Sequence, residues 1–200
     1  MYNRKDLLGL RDLSADEIMT ILNTAKEMKA KIDNPSLRDD SLSKSSIVTL
    51  FYENSTRTKM SFMLAGDYQG AIVKDLGVAT SSVSKGESLV DTGVTLDQMG
   101  INIMIIRHQM TGAAHLLAKN VKASVVNAGD GSNEHPTQAL LDLFTIMEKK
   151  GSFEGLKVVI LGDISHSRVA RSNAFGLTKL GAKVTLAGPS TLVSNSMKSL

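Results

Sequence analysis

Ile47-Val48-Thr49-Leu50-Phe51-Tyr52-Glu53-Asn54-Ser55-Thr56-Arg57-Thr58 is the stretch on which the fold turns. Its first five residues are apolar or β-branched without polar alternation, as suits a strand of a parallel sheet covered on both faces. A polar turn follows, and helical spacing begins near Thr58. A strand running through a short turn into a helix is the unit of doubly wound α/β architecture. Downstream the unit repeats. Apolar runs recur at 71–76, 101–106, 124–127, 157–161 and 183–187, and helical patterns at 58–68, 88–99, 112–120, 136–150 and 167–180. Upstream, Ser14-Ala15-Asp16-Glu17 reads as a capping box that opens a helix carrying Ile18, Ile21, Leu22, Ala25 and Met28 to about Lys31. The polar stretch from Asp33 to Ser45, with Pro35, reads as a loop. The expected fold class is α/β: a doubly wound parallel sheet domain with right-handed crossovers, followed by the start of a second α/β domain. The expected domains are residues 1–134, a connecting helix at 135–150, and a partial domain at 151–200. In the last, 153–187 supplies one strand–helix–strand unit, too little to cover both faces of its own sheet.

Composition narrows the function. Aromatics are 4% of the 200 residues and Trp is absent, which excludes a single-stranded nucleic-acid reader built on stacking. The net charge of +3 is spread without a basic run, so no nucleic-acid partner is expected, although a local anion site fits. With no Cys there is no disulfide, thiolate zinc site or cysteine nucleophile. Apolar stretches are far too short for a membrane span, and the N-terminus opens no signal region, so a cytoplasmic location is expected. His108, His115, His135 and His166 sit on separate elements without metal-ligand spacing, so no metal is expected. A G-x-S-x-G elbow is missing, and Gly162-Asp163-Ile164-Ser165 departs from the dinucleotide fingerprint.

Ligands of open α/β sheets gather beyond the carboxyl ends of the strands. After 47–51, the hydroxyls of Ser55, Thr56 and Thr58 and the guanidinium of Arg57 stand where a helix starts. Free N–H groups and the helix dipole there favour an anion, and Arg57 offers a bidentate fork. The same residues could simply cap the helix. After 101–106 comes Arg107-His108, again at a strand's carboxyl end, where a lone Arg is more often a surface residue. After 124–127 comes Ala128-Gly129-Asp130-Gly131-Ser132-Asn133-Glu134-His135-Pro136-Thr137-Gln138, a tight loop entering a helix with Pro at its first position. His135 and Gln138 would lie one turn apart, suited to gripping a carbonyl and an amide. Arg168, near the start of a later helix, suits a carboxylate. The 79–87 loop, with Ser81, Ser82 and Lys85, could fold over a ligand or be plain surface.

Taken together, these segments resemble the aspartate/ornithine carbamoyltransferase family over essentially the whole chain. Residues 51–58 match its F-x-E-x-S-T-R-T segment, and His135-Pro136-Thr137-Gln138 its H-P-x-Q helix. Lys85-Gly86-Glu87-Ser88 with Asp91-Thr92, and Arg107-His108 followed by Gly129-Asp130-Gly131, favour the aspartate branch. The resemblance implies transfer of the carbamoyl group of carbamoyl phosphate to the amino group of L-aspartate in pyrimidine biosynthesis. Ser55, Thr56, Arg57 and Thr58 would cradle the phosphate, with Arg57 stabilising the leaving group. Arg107, His135 and Thr58 would surround the carbonyl oxygen and Gln138 the carbamoyl amide. Arg168 and Lys85 would bind aspartate, and Ser81 (or Ser82) with Lys85 would form a loop lent to a neighbouring subunit. The implied assembly is a homotrimer with shared sites, with room for a regulatory subunit and no cofactor. Family chains run about half as long again, and their further part carries a second aspartate-binding segment and a terminal helix. Another amine such as ornithine therefore stays open, as does an inactive module that only binds carbamoyl phosphate.

Overall fold

The computed structural model describes residues 3–77 and 86–193. In chain order the elements are α1 (Ala15–Asp33), β1 (Ser46–Phe51), α2 (Thr56–Asp67), β2 (Ile72–Leu76), α3 (Leu89–Gln98), β3 (Ile103–His108), α4 (Ala113–Asn120), β4 (Ser124–Asp130), α5 (Pro136–Lys150), β5 (Lys157–Leu161), α6 (Arg168–Lys179) and β6 (Lys183–Ala187). Their alternation gives the parallel α/β fold that the sequence pattern predicts. Two compact units divide them. The first holds residues 4–8 and 27–130, and the second residues 9–26 and those from 131 onward.

In the first unit the strands pair in parallel in the order β2-β1-β3-β4. The chain leaves β1 toward β2 on one side, then returns with β3 on the other, so the order reverses between β1 and β3. That reversal opens the crevice in which such sheets bind ligands. Val48, Leu50, Met104, Ile106 and Val125 pack with Ala113, Ala114 and Leu117 of α4 into the main core. Ile47, Phe51, Ile105 and Ala128 form a second cluster with Phe62 of α2 and Val73. Burying each such aliphatic side chain contributes roughly 1.5–3 kcal/mol. Thr49 is a buried polar residue within β1, and its hydroxyl donates to Asp75 Oδ1 at 2.6 Å. Asp75 Oδ2 receives Lys59 Nζ at 2.9 Å, which ties α2 to β2. Burial, the largest influence on Asp75, pulls its carboxyl up, but the bonds from Thr49 and Lys59 outweigh it and hold the group below the usual range.

The N-terminal segment completes the other side of this sheet. Leu7 bridges Val126 in parallel, its N–H donating to Val125 O and its carbonyl accepting from Asn127 N–H, both at 2.9 Å. Lys5 Nζ donates to the carbonyls of Ala118, Val121 and Ala123 at 3.0–3.2 Å, satisfying acceptors at and beyond the end of α4.

In the second unit, the box expected at Ser14 closes from both ends. Ser14 N–H donates to Glu17 Oε2 at 2.8 Å, and Glu17 N–H to Ser14 Oγ at 3.2 Å. Ile18 and Leu22 of α1 are buried. The β5–β6 sheet packs Ile160 and Leu186 with Ile164 and Ala170, while Val159 and Leu161 on its opposite face are exposed.

Three details depart from the sequence pattern. β2 is largely exposed although its sequence reads as apolar, because it is the edge strand of its sheet. The 33–45 loop contains a 3-10 turn at Pro35–Leu37, which Asn34 caps by accepting Ser36 N–H at 3.1 Å. β4 runs to Asp130, beyond its apolar residues, because polar side chains hold its last turn.

Candidate active site

The site is built first from the carboxyl ends of β1 and β3. Phe51 pairs with Arg107 in register, and Tyr52 N–H donates to Arg107 O at 2.9 Å. This places the 52–58 turn and Arg107 on adjoining strands at the reversal point. Ser55 is the N-cap of α2 in extended conformation (φ −159°), but its side chain makes no capping hydrogen bond. The capping alternative for Ser55 is therefore not realised. The N–H groups at the start of α2 are left facing outward, and such a helix start attracts anions. Arg57, in the first turn of α2, is exposed, and its guanidinium has no hydrogen-bonding or ionic partner among the described residues. Thr56 is exposed and Thr58 partly buried on the same turn.

Arg107 is held differently. Its Nε donates to Glu53 Oε2 at 3.1 Å and its Nη1 to Ala128 O at 3.5 Å. Next to it, His108 lies against Tyr52 with ring centroids 4.6 Å apart and the planes tilted by 44°, and its Nδ1 accepts Met110 N–H at 2.9 Å. The ring is thus the neutral Nε2–H tautomer. Burial pushes the imidazole below the usual histidine value, while the Glu53 and Asp130 carboxylates partly offset this. At the end of β4, Asn127 and Asp130 are buried and hydrogen-bonded to one another.

The remaining expected residues lie in the second unit. His135 is buried at the N-cap of α5, with Pro136 next, and its N–H donates to Ser172 Oγ at 2.9 Å. Thr137 Oγ1 lies 3.4 Å from His135 Nδ1, so a hydroxyl donating there leaves Nε2–H as the ring donor. Gln138 Nε2 donates to Asp142 Oδ1 at 3.0 Å, and Asn173 Nδ2 to Asp142 Oδ2 at 2.7 Å. Arg168 opens α6 behind its cap Ser167, and its Nη1 donates to Gly131 O at 3.3 Å. Glu134 is a buried carboxylate accepting Leu10 N–H at 2.7 Å, Arg11 N–H at 3.3 Å and the Ser172 hydroxyl at 2.9 Å. Ser81 and Lys85 lie outside the described residues.

The structure thus brings Ser55, Thr56, Arg57, Thr58 and Arg107 to the carboxyl end of one sheet, and places His135, Gln138 and Arg168 in the other unit. Sequence reading passed over Glu53, Asn127, Glu134 and Ser172. Asn127 beside Gly129 was a usable signal, since Asx side chains often lock turns next to glycine. Glu134 and Ser172 gave none, because burial of an acid and its partner depends on tertiary packing alone. Among the described residues no cluster of His, Asp or Glu has the makings of a metal site.

Residues 5–148 match the family model described as aspartate/ornithine carbamoyltransferase, carbamoyl-P binding domain. The aspartate carbamoyltransferase catalytic subunit of Acetivibrio thermocellus is 65% identical over 94% of this chain and 61% of its own length. That of Ruminiclostridium cellulolyticum is 64% identical over 94% of this chain and 60% of its own. Among solved structures, aspartate transcarbamoylase from Trypanosoma cruzi in complex with N-(phosphonacetyl)-L-aspartic acid superposes with a TM-score of 0.90 at 31% identity, covering 97% of this chain and 63% of that one. The catalytic subunit of the M. jannaschii aspartate transcarbamoylase gives 0.87 at 35% identity, covering 98% and 64%. The chain spans about three-fifths of the length of the curated relatives it matches. With the family model running through both strands that flank the reversal point and on into α5, the chain belongs to the aspartate/ornithine carbamoyltransferase family.

Proposed function

We propose that the chain serves an enzyme that transfers the carbamoyl group of carbamoyl phosphate to the amino group of L-aspartate, giving N-carbamoyl-L-aspartate and phosphate in pyrimidine biosynthesis. The observation that carries the reading is the start of α2, where Ser55 makes no capping bond and Arg57 has no side-chain partner among the described residues, directly after β1, whose Phe51 pairs with Arg107. Relatives named as aspartate carbamoyltransferase catalytic subunits support the choice of reaction.

The helix-start N–H groups, the hydroxyls of Ser55, Thr56 and Thr58, and Arg57 take the phosphate. Arg107, Thr58 and His135 Nε2–H donate to the carbonyl oxygen, and Gln138 holds the carbamoyl amide. The aspartate amino nitrogen forms the new C–N bond and the C–O bond to phosphate breaks. The amine proton leaves with the phosphate, whose oxygens are the nearest base the reaction itself supplies. Charge grows on the carbonyl oxygen and the leaving phosphate, and fixed donors aimed at those atoms lower the barrier. Arg168 and Lys85 receive aspartate carboxylates. Residues 1–134 act as the carbamoyl-phosphate domain, 135–150 as the connecting helix and 151–200 as part of the aspartate domain. The working form is a cytoplasmic homotrimer in which Ser81 and Lys85 serve a neighbour's site, and a regulatory subunit is compatible with it. No cofactor is called for, because an acyl phosphate is already activated.

The test is transfer of labelled carbamoyl phosphate by the protein carrying this chain, with L-aspartate or L-ornithine as acceptor. Carbamoyl-aspartate is the expected product. Label appearing only on ornithine would overturn the acceptor assignment, and no calorimetric binding of carbamoyl phosphate would overturn the site.

A further inference from the structure

We infer that Asn127, acting with Asp130, is a positioning residue for Arg107: it locks a bulge in β4 that sets where the guanidinium sits. The inference rests on the functional reading above, in which Arg107 meets the carbonyl oxygen.

Between the pairs Ile106–Asn127 and His108–Asp130 the β3–β4 register slips, so Arg107 stands opposite two residues, Ala128 and Gly129. A bulge of this kind bends its strand and re-aims the side chains around it. Gly129 enters it at φ +114°, a conformation that residues with a Cβ resist. Asn127 then ties the bulge from within. Its Oδ1 accepts Gly129 N–H at 2.8 Å, and its Nδ2 donates to Asp130 Oδ1 and to Leu8 O, each at 2.8 Å. Asp130 Oδ2 accepts Gly112 N–H at 2.8 Å, anchoring the knot at the cap of α4. The carbonyl of Ala128, carried on the bulge, is the acceptor of Arg107 Nη1.

Glu53 and the bulge therefore both hold Arg107. Glu53 supplies charge at Nε, and the bulge supplies an acceptor whose place Asn127 fixes. A strand in this core needs no polar residue at position 127 in order to pack, since Val125 and Ala128 beside it are buried apolar groups. The Asn127 amide bonds instead to Gly129 in the bulge, to Asp130 at its far end and to Leu8 of the N-terminal segment. When Asn127 is truncated, the bulge can relax and the Ala128 carbonyl shifts. Arg107 then loses its aim, while the phosphate cradle at the start of α2 stays intact.

The experiment titrates the wild-type chain, Asn127→Ala, Arg107→Ala and the double variant with carbamoyl phosphate and, separately, with inorganic phosphate. Asn127→Ala is expected to weaken carbamoyl phosphate about tenfold, the size of one lost charge-assisted hydrogen bond, with inorganic phosphate unchanged. In the Arg107→Ala background the further loss should vanish, since the two residues act through one contact. Equal weakening of both ligands, or additive losses, would overturn the positioning role. Asn127→Asp guards against an alanine variant that does not fold. It keeps the Gly129 acceptor but lays a carboxylate against Asp130. Protonating it restores a donor, so the preference for carbamoyl phosphate over phosphate should recover toward wild type as pH falls. A preference offset that does not change with pH would overturn the proposal. Wild-type chain that binds phosphate but not carbamoyl phosphate would instead sink the functional reading.

Discussion

Ser172 donates its hydroxyl to Glu134 Oε2 and, on the same oxygen, accepts His135 N–H, each at 2.9 Å. One side chain thereby satisfies a buried carboxylate and the first free N–H of α5. Removing the hydroxyl by Ser172→Ala takes an acceptor from that N–H and a donor from Glu134. The expected cost is about 1–3 kcal/mol, seen as a fall of several degrees in Tm by circular dichroism. An unchanged Tm would mean that water replaces the hydroxyl without penalty.

Gly9 is the point at which the same carboxylate leaves no room. A Cβ there would sit 2.2 Å from Glu134 Oε1, whereas a Cβ on Gly176 would meet Leu143 Cδ1 at 2.7 Å. The end of the Leu143 side chain can swing aside, but Glu134 is held by Leu10, Arg11 and Ser172. Gly9→Ala is therefore expected to destabilise by on the order of 3 kcal/mol, as loss of partners around a buried charge does. Gly176→Ala should cost about 1–3 kcal/mol through overpacking. Urea unfolding of the two variants gives the order, and a larger loss at Gly176 would contradict it.

Arg57→Ala should separate function from stability. The side chain is exposed and bonded to nothing among the described residues, so the unfolding midpoint should stay put. Losing a donor at the leaving phosphate costs a factor of roughly 100 to 1,000 in turnover. Steady-state rates beside a melting curve check both halves. Near-normal turnover would place the phosphate elsewhere.

His108 should make the chain acid-sensitive. Its folded-state pKa lies below the ordinary value of 6.5, so on acidification the unfolded chain takes up the proton first. Stability is then full above about pH 6.5, falls as pH drops through that value, and levels below the lowered folded pKa. His108→Gln should flatten the profile in this window, read by denaturant midpoints between pH 5 and 8. A slope that persists unchanged in the variant would assign it to another group.

The strands and helices were legible because burial writes itself as period: 47–51 and 101–106 are apolar throughout, and Ser14 and Glu17 announce their cap. The helix start proposed to hold phosphate was legible as a position for a related reason, since Ser55 to Thr58 must stand directly after a strand. What could not be seen were acids and amides whose partners are remote in sequence. Glu134 looks like any loop acid until Leu10 and Arg11 are brought to it. The exposure of β2 was equally hidden, because strand order and not composition decides which strand is an edge.

The strap formed by Lys5 to Leu8 has a bearing on how the chain is made. Asp6 caps Val125 N–H across 119 residues, and Leu10 meets Glu134 across 124. A ribosome adding about 5–20 residues per second makes residues 5–10 many seconds before their partners exist. Residues 5–10 therefore wait for β4 and for Glu134 before they can dock. Until residue 127 has emerged the backbone of Leu7, and until residue 134 that of Leu10, stands open to water, chaperones or a neighbouring chain.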